Sequence, residues 1–207
     1  MLDGIEITSI LVDALPIDWP QISSEDEENK AYDALYNDEE DRSRPPSHAH
    51  IERLSYELLK GDKRLRFFAV SHQRDMGGTN DPNMVQYDVL EKKFNESPPQ
   101  LVLYEGFIDD VNHPLTREQA IQLGEPAFMA YLMQQHNAHL KDGDNPIAIE
   151  SADKPVNNMP NEIRDPSVVR NIAKKFNQFD RVDVVMGSGH AIRYRVALKQ
   201  LFKPKIS

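Results

Sequence analysis

Four short apolar runs, separated by longer amphipathic stretches, constrain the fold of this chain more than any other sequence feature. The runs are four to six residues long and rich in β-branched or aromatic side chains, as is typical of strands buried on both faces of a sheet. They occupy residues 65–70, 101–104, 146–149 and 182–186. Because parallel strands need a crossover connection, the stretches between the runs are predicted to be helices.

Several of these stretches carry the signals of a helix start, namely an N-cap residue, a capping box or a proline at the first helical position. These signals begin at Asp81, Thr116 and Asp165, and residues 126–140 and 192–202 are further amphipathic stretches. Residues 50–60 are predicted to form a further helix before the first strand. We therefore predict a single α/β domain over residues 47–207, with a mostly parallel sheet that is covered by helices on both faces.

The net charge of −10 is confined to the N-terminal part of the chain. Residues 1–46 contain 13 acidic and three basic side chains, whereas residues 47–207 contain 21 of each. Residues 23–46 combine few apolar side chains with many like charges, and such a segment buries too little surface to offset its ordering entropy. We predict an acidic, partly disordered arm over residues 1–46.

Composition and charge exclude several classes of protein. The chain has no cysteine, which excludes disulfides and thiolate metal sites. No apolar stretch approaches the roughly 18 residues of a membrane span, and the N-terminus lacks the basic region of a signal peptide. The negative charge argues against a nucleic-acid partner. We expect a cytoplasmic protein with a small-molecule or peptide substrate and no membrane partner, and its oligomeric state is left open.

An ionisable side chain follows each of the four apolar runs. His72 follows the first run, Glu105 the second, Glu150 the third and His190 the fourth. The carboxyl ends of parallel strands meet at one edge of a sheet, where open α/β sheets bind their ligands. A carboxylate at the end of a buried strand also needs a partner, because desolvating it alone costs several kcal/mol. We therefore predict one site that contains all four side chains.

Two imidazoles and two carboxylates support two routes to hydrolysis. With a divalent metal, His72, Glu105 and His190 would be ligands, and the metal would lower the pKa of a bound water. Without a metal, one histidine would accept a proton from water while a glutamate orients it, and the other histidine would protonate the leaving group. The spacing of the residues favours neither route.

Two further elements are candidates for binding negative charge. Glycines let backbone N–H groups approach an anion, so the turn of Gly187, Ser188 and Gly189 is predicted to bind a substrate anion or an oxyanion. The planar guanidinium of Arg164 suits paired oxygens and would bind a substrate carboxylate or an oxyanion. The alternative for Arg164 is an ion pair with Asp165 or Glu162.

The order of these motifs resembles the superfamily that contains the TraB and Tiki proteins, the erythromycin esterases and the ChaN-type haem-binding lipoproteins. In that superfamily a Gly-X-X-His motif opens the site, a glutamate follows the second strand, and a second Gly-X-X-His closes the domain. The corresponding segments here are residues 68–72, 103–106 and 185–190, with residues 163–165 similar to the Arg-Asp helix start of the family. The resemblance covers residues 65–202, and Ala69 stands where the first motif has glycine.

The resemblance implies a site built on His72, Glu105 and His190, with Arg164 beside them. It implies a hydrolase of an ester, amide or peptide-like bond, with or without a divalent metal (Mn, Co or Zn). The alternatives are a non-catalytic protein that binds haem or a small ligand, and, given Ala69, an inactive interaction module of the same fold. Converging carboxylates favour the hydrolase, because water activation uses them and haem ligation rarely needs them.

Overall fold

A computed structural model of the chain describes residues 30, 51, 54–71, 85–106, 114–141, 144–154, 156 and 158–201. Apart from Lys30, the predicted acidic arm lies outside these residues, and so does its predicted boundary at residue 46. Among the described residues, none of the helices has both the length and the hydropathy needed to span a bilayer.

The described part of the chain alternates strands with helices. The elements are β1 (Tyr56–Lys60), β2 (Lys63–Val70), α1 (Val85–Glu96), β3 (Leu101–Tyr104), α2 (Arg117–Leu123), α3 (Glu125–Asn137), β4 (Ala148–Ser151), α4 (Asn161–Gln178), β5 (Arg181–Gly187) and α5 (Ser188–Leu201). The strands form one sheet in the order β1-β2-β5-β3-β4. The β1–β2 pair is antiparallel and the other neighbours are parallel, so the predicted mostly parallel α/β sheet is confirmed.

Alternate side chains of the strands build two apolar layers, because successive residues of a strand point to opposite faces of the sheet. On one face, Phe68 and Val185 belong to a layer that includes α1, α2 and α3. On the other face, Phe67 and Val184 belong to a layer that includes α4 and α5. Fully buried rings fill both layers: Tyr87, Phe94, Phe128, Phe176 and Tyr194. The prediction that helices cover both faces is confirmed.

The predicted helix over residues 50–60 is wrong over its second half, which forms β1. Burial alternates along this strand, with Leu58 buried between two exposed neighbours. Lys60 pairs with Lys63 across a two-residue turn. Gly61 has a φ of 56° in that turn, a left-handed conformation that two-residue hairpins require and that glycine adopts at little cost. The hairpin turn therefore favours a strand over a helix for residues 56–60.

The predicted helix starts have different outcomes. Thr116 caps α2 and forms the predicted capping box. In contrast, α4 begins at Asn161 rather than at Asp165, because the carbonyl of Pro160 accepts the first helical N–H bonds. Pro166 therefore lies inside α4, beyond its first turn. A proline is tolerated without cost only in the first turn, where the missing N–H would have no helical partner.

The carboxyl edge of the sheet opens between β3 and β5. These strands are neighbours, but the helices that follow them lie on opposite faces, since α2 packs in one apolar layer and α5 in the other. Connections that diverge in this way leave a crevice outside the strand ends, where α/β proteins bind ligands. The fold therefore places Glu105, which follows β3, and the start of α5 at this crevice.

Candidate functional site

Glu105 is the centre of a polar cluster at the carboxyl edge of the sheet. Its Oε1 lies 2.9 Å from Nε2 of His190 and 2.5 Å from a terminal guanidinium nitrogen of Arg164. Its Oε2 accepts a hydrogen bond of 2.9 Å from the backbone N–H of Gly187. The fold thus brings together three predicted site residues, with 85 and 59 positions between Glu105 and its two side-chain partners.

The glycine-rich turn places a backbone donor against this carboxylate. β5 ends at Gly187, and α5 begins at Ser188 without an intervening loop. The N-terminus of a helix carries unpaired N–H groups and a partial positive charge, which attract an anion. Through Gly187, the predicted anion-binding turn therefore holds a carboxylate of the protein itself, while Ser188 and Gly189 form the first turn of α5.

His190 lies between two carboxylates. Its Nε2 faces Glu105, and its Nδ1 lies 3.6 Å from Oδ1 of Asp165 and 2.9 Å from the guanidinium of Arg193. Asp165 is buried, and its Oδ1 accepts a hydrogen bond of 2.6 Å from the hydroxyl of Tyr194. His190 is only 7% exposed, so these contacts fix the orientation of its ring.

The carboxylates favour the protonated form of this histidine. Burial disfavours the charged imidazole, but Asp165 and Glu105 outweigh burial and the opposing charge of Arg193, and they raise the pKa of His190 above its usual 6.5. Burial also opposes the charge of Asp165, but contacts with His190, Tyr194 and Arg193 hold the pKa of Asp165 below its usual 3.8. Both shifts favour the charged forms of His190 and Asp165.

This charged pair predicts how stability depends on pH. Because the folded pKa of His190 is raised, its contribution is complete below pH 6.5 and is lost as the pH rises through the raised value. The contribution of Asp165 is complete above pH 3.8 and is lost as the pH falls through its lowered pKa. We expect the difference in unfolding free energy between the wild type and His190→Asn to be largest between pH 3.8 and 6.5, as measured by urea unfolding.

A matched control separates this effect from the general effect of losing an imidazole. His139 is exposed just beyond the end of α3, and we expect His139→Asn to change the free energy of unfolding by less than about 0.5 kcal/mol. An NMR titration of the His190 ring gives an independent measurement. A ring pKa below 6.5 would contradict the assignment of His190 as an imidazolium held by two carboxylates.

Arg164 connects Glu105 to Asp153, a fully buried residue beyond the end of β4. The guanidinium nitrogen that contacts Glu105 also lies 2.6 Å from Oδ2 of Asp153. Oδ1 of Asp153 accepts hydrogen bonds from the N–H of Gly106 at 2.9 Å and the hydroxyl of Ser151 at 3.2 Å. Burial lowers the pKa of Arg164, but the two carboxylates outweigh it and raise that pKa. Arg164 therefore forms ion pairs, but with Glu105 and Asp153, which are distant in the sequence, and not with the nearby acidic residues named in the sequence-based alternative.

Four residues of the cluster were not predicted as site residues: Asp153, Asp165, Arg193 and Tyr194. A signal for Asp153 is its position just after the third apolar run, and a signal for Asp165 is the Arg-Asp motif. Tyr194 has no such signal, because an aromatic residue at helical spacing is typical of a core. Its role depends on the packing of α4 against α5, which sequence patterns do not reveal.

Glu150 is a predicted site residue that the structure does not bring to the cluster. It lies within β4 and not after its end, because the strand continues to Ser151. Its carboxylate is 41% exposed and forms an ion pair with Lys175 at 2.5 Å. The carboxylate that joins the cluster from beyond the end of β4 is Asp153, three positions after Glu150.

His72 lies outside the described residues, and its place in the site stays a prediction. β2 ends at Val70, which pairs with Gly187 of β5, so the chain leaves β2 beside the turn that binds the carboxylate. Ala69, at the position of the first family glycine, is fully buried in an apolar layer, and its N–H donates to the hydroxyl of Ser55. The strand therefore accommodates a Cβ at this position.

The described donors of the cluster, as arranged, do not fit a divalent cation. In the part of the chain that the structure describes, no group of three or more His, Asp or Glu side chains is placed to hold a metal ion. Both oxygens of Glu105 are engaged, and one of them faces a guanidinium, so a cation there would meet a positive charge. The predicted Mn, Co or Zn site on His72, Glu105 and His190 stays a prediction, because His72 is not described.

The chain matches no protein-family model, no curated protein and no solved structure. The functional argument therefore depends on the cluster itself. Its centre is Glu105, held by two basic groups, and each basic group has a buried carboxylate behind it: Asp153 behind Arg164, and Asp165 behind His190. Such an arrangement holds a carboxylate and an imidazole at the distance needed for proton transfer.

Proposed function

We propose that the protein is a hydrolase of ester, amide or peptide-like bonds that uses Glu105 and His190 without a metal. The observation that supports this proposal is the distance of 2.9 Å between Glu105 Oε1 and His190 Nε2 at the crevice between β3 and β5. Titratable groups with shifted pKa values in a cleft are typical of catalytic sites. The family resemblance is part of the same proposal, because the motifs that carry it include both residues.

In the proposed reaction, Glu105 accepts a proton from a water molecule, and the water oxygen bonds to the carbonyl carbon of the substrate. The carbonyl oxygen takes the negative charge, which the imidazolium of His190 and the guanidinium of Arg164 stabilise. Glu105 then gives its proton to the departing alkoxide or amine, and the bond to the leaving group breaks. The products are a carboxylic acid and an alcohol or amine, and Glu105 is again ionised.

The remaining residues of the cluster are positioning residues in this proposal. Asp165 keeps His190 protonated and fixes its ring, and Asp153 holds Arg164 against Glu105. His72 is a second acid–base group of the proposal, in line with the two histidines of the resembling family.

Haem binding through His190 is less compatible with this geometry. An axial histidine must present a ring nitrogen to the iron. Both ring nitrogens of His190 already have polar partners, Glu105 on one side and Arg193 with Asp165 on the other. The intact cluster also argues against an inactive module, since Ala69 packs in a regular strand.

The proposal predicts turnover that does not need metal. We expect the purified full chain to hydrolyse at least one of p-nitrophenyl acetate, p-nitrophenyl butyrate, an acyl p-nitroanilide and a blocked peptide, and to do so in EDTA. We also expect kcat/KM to fall as the pH rises through the raised pKa of His190, because the imidazolium is then lost.

Two outcomes would contradict this proposal. Turnover that appears only after addition of Mn²⁺, Co²⁺ or Zn²⁺ would replace the acid–base route with the metal route. A wild-type protein that hydrolyses none of the four substrates, with or without metal, would overturn the assignment as a hydrolase.

A further inference from the structure

β4 lies at the edge of the described sheet and presents an unpaired side. The N–H groups of Ala148 and Ala152 donate to carbonyls of β3 or the residue before it. Because alternate residues of a parallel strand bond to the same neighbour, Ile149 and Ser151 direct their backbone N–H and C=O groups away from β3. No bond from another described residue engages these outward groups. This edge is therefore open to a further strand.

An open cavity of about 600 Å³ lies along this edge. Its opposite side includes Ser167 and Asn171, which are one helical turn apart on α4. Ile163 lies one turn nearer the start of α4, next to Arg164, and is 53% exposed. Tyr104 also lines the cavity and directly precedes Glu105. The cavity therefore lies along β4 and α4, beside the residue that precedes Glu105.

We propose that an extended peptide segment binds along the outer edge of β4 as an added strand and is the substrate of the hydrolase. The outward donors and acceptors of Ile149 and Ser151 repeat at the spacing of an extended backbone, which is what strand addition recognises. A small ester has no such repeat. Val156 also lines this cavity, packs against the apolar layer of α4 and α5, and suits an apolar side chain of the peptide.

The geometry connects this edge to the cluster. Ser151 pairs with Tyr104, so a peptide paired with β4 passes about two strand spacings, or roughly 10 Å, from the chain of β3. Since an extended residue covers about 3.3 Å, three further residues bring the peptide across to Glu105. Inside the protein, Asp153 and Arg164 connect the end of β4 to Glu105. Hydrolysis of the bound peptide rests on the proposed function, whereas its binding along β4 does not.

Backbone hydrogen exchange, followed by NMR on the full-length protein, tests the binding directly. The probe is the blocked pentapeptide Ac-Lys-Leu-Ala-Leu-Lys-NH2, and the control is the same peptide N-methylated at its three central residues. We expect the amides of Ile149 and Ser151 to exchange rapidly in the free protein and to become protected with the probe only. The amides of Ala148 and Ala152 should be protected throughout, because they bond within the sheet.

A substitution at the edge gives a second test. Ile149→Pro removes one outward N–H and leaves the bonds to β3, since proline is tolerated where a strand N–H faces outward. Ile149→Val keeps that N–H and is the matched control. We expect probe affinity to fall about fivefold or more for the proline variant, the value of one backbone hydrogen bond, and to change less than about twofold for valine.

The outcomes separate this inference from the proposed function. Protection of the Ile149 and Ser151 amides without the probe would overturn the peptide site. If this protection is independent of protein concentration, another part of the same chain covers the edge of β4. If it rises with protein concentration, a second copy of the chain covers that edge. Unchanged exchange with the probe would overturn it as well, even if p-nitrophenyl acetate is hydrolysed. Protection by the probe without turnover of any substrate would support the peptide site and overturn the hydrolase.

Discussion

Replacing Glu105 with glutamine is expected to lower kcat/KM by a factor of about 10² to 10⁴ on any substrate that the wild-type protein hydrolyses. Glutamine has nearly the same shape, and its carbonyl oxygen can accept the hydrogen bond from Gly187 or from Arg164. It cannot accept a proton from water. The loss should therefore fall mainly on kcat, with KM little changed, because the missing interaction is made in the transition state. Steady-state kinetics on the best substrate of the panel measures both.

The control is the same change of carboxylate to amide away from the cluster. Glu96 is exposed at the end of α1 and pairs with Lys93, so Glu96→Gln should keep activity within about twofold of the wild type. A Glu105→Gln variant that retains more than about a tenth of wild-type kcat would show that Glu105 only holds the cluster together.

Replacing Arg66 with methionine is expected to lower the free energy of unfolding by about 3 to 5 kcal/mol. Arg66 and Asp183 face each other on β2 and β5 and form two hydrogen bonds, Nε to Oδ1 at 2.8 Å and a terminal nitrogen to Oδ2 at 2.6 Å. Asp183 is fully buried. Without its partner, this carboxylate must either lose its charge or remain unpaired in the interior, and both cost free energy. Urea unfolding measures the loss.

The double variant Arg66→Met, Asp183→Leu gives the decisive comparison. Replacing both members of a buried ion pair with apolar side chains is often neutral, so we expect the double variant to recover most of the stability lost by the single one. Lys92→Met, at a side chain 72% exposed, is the surface control and should change stability by less than about 0.5 kcal/mol. A loss below about 1 kcal/mol in the single variant would show that the ion pair contributes little.

The parts of the site that could be predicted are those that depend on strand ends. Glu105 and His190 follow the second and fourth apolar runs, and the rule that parallel strands end at one edge was enough to bring them together. The same rule failed for Glu150 because β4 extends two residues beyond the apolar run. The sequence marks the end of a strand poorly when polar residues continue the strand. An error of a few residues in the predicted strand end then selects a different acidic residue for the site. Asp153 was missed for this reason.

The ion pair inside the sheet is a second feature that could not be predicted from the sequence. Arg66 and Asp183 are visible in the sequence as single polar residues within two apolar runs. Only the register of β2 against β5 places them opposite each other, although they are 117 positions apart in the sequence. The hairpin of β1 was missed for a local reason, since the apolar spacing of residues 50–60 fits a helix and the turn at Gly61 decides otherwise.

The sequence by itself determined the class of fold and the edge of the sheet where polar side chains gather, because hydrophobic periodicity and the ends of apolar runs are local properties. Only the tertiary structure decided which groups pair there: Arg164 with Glu105 and Asp153, and His190 with Glu105 and Asp165. The physical reason is that the charge state of a buried group depends on every element packed around it. α4, α5 and the segments that follow β3 and β4 supply those partners from distant parts of the chain.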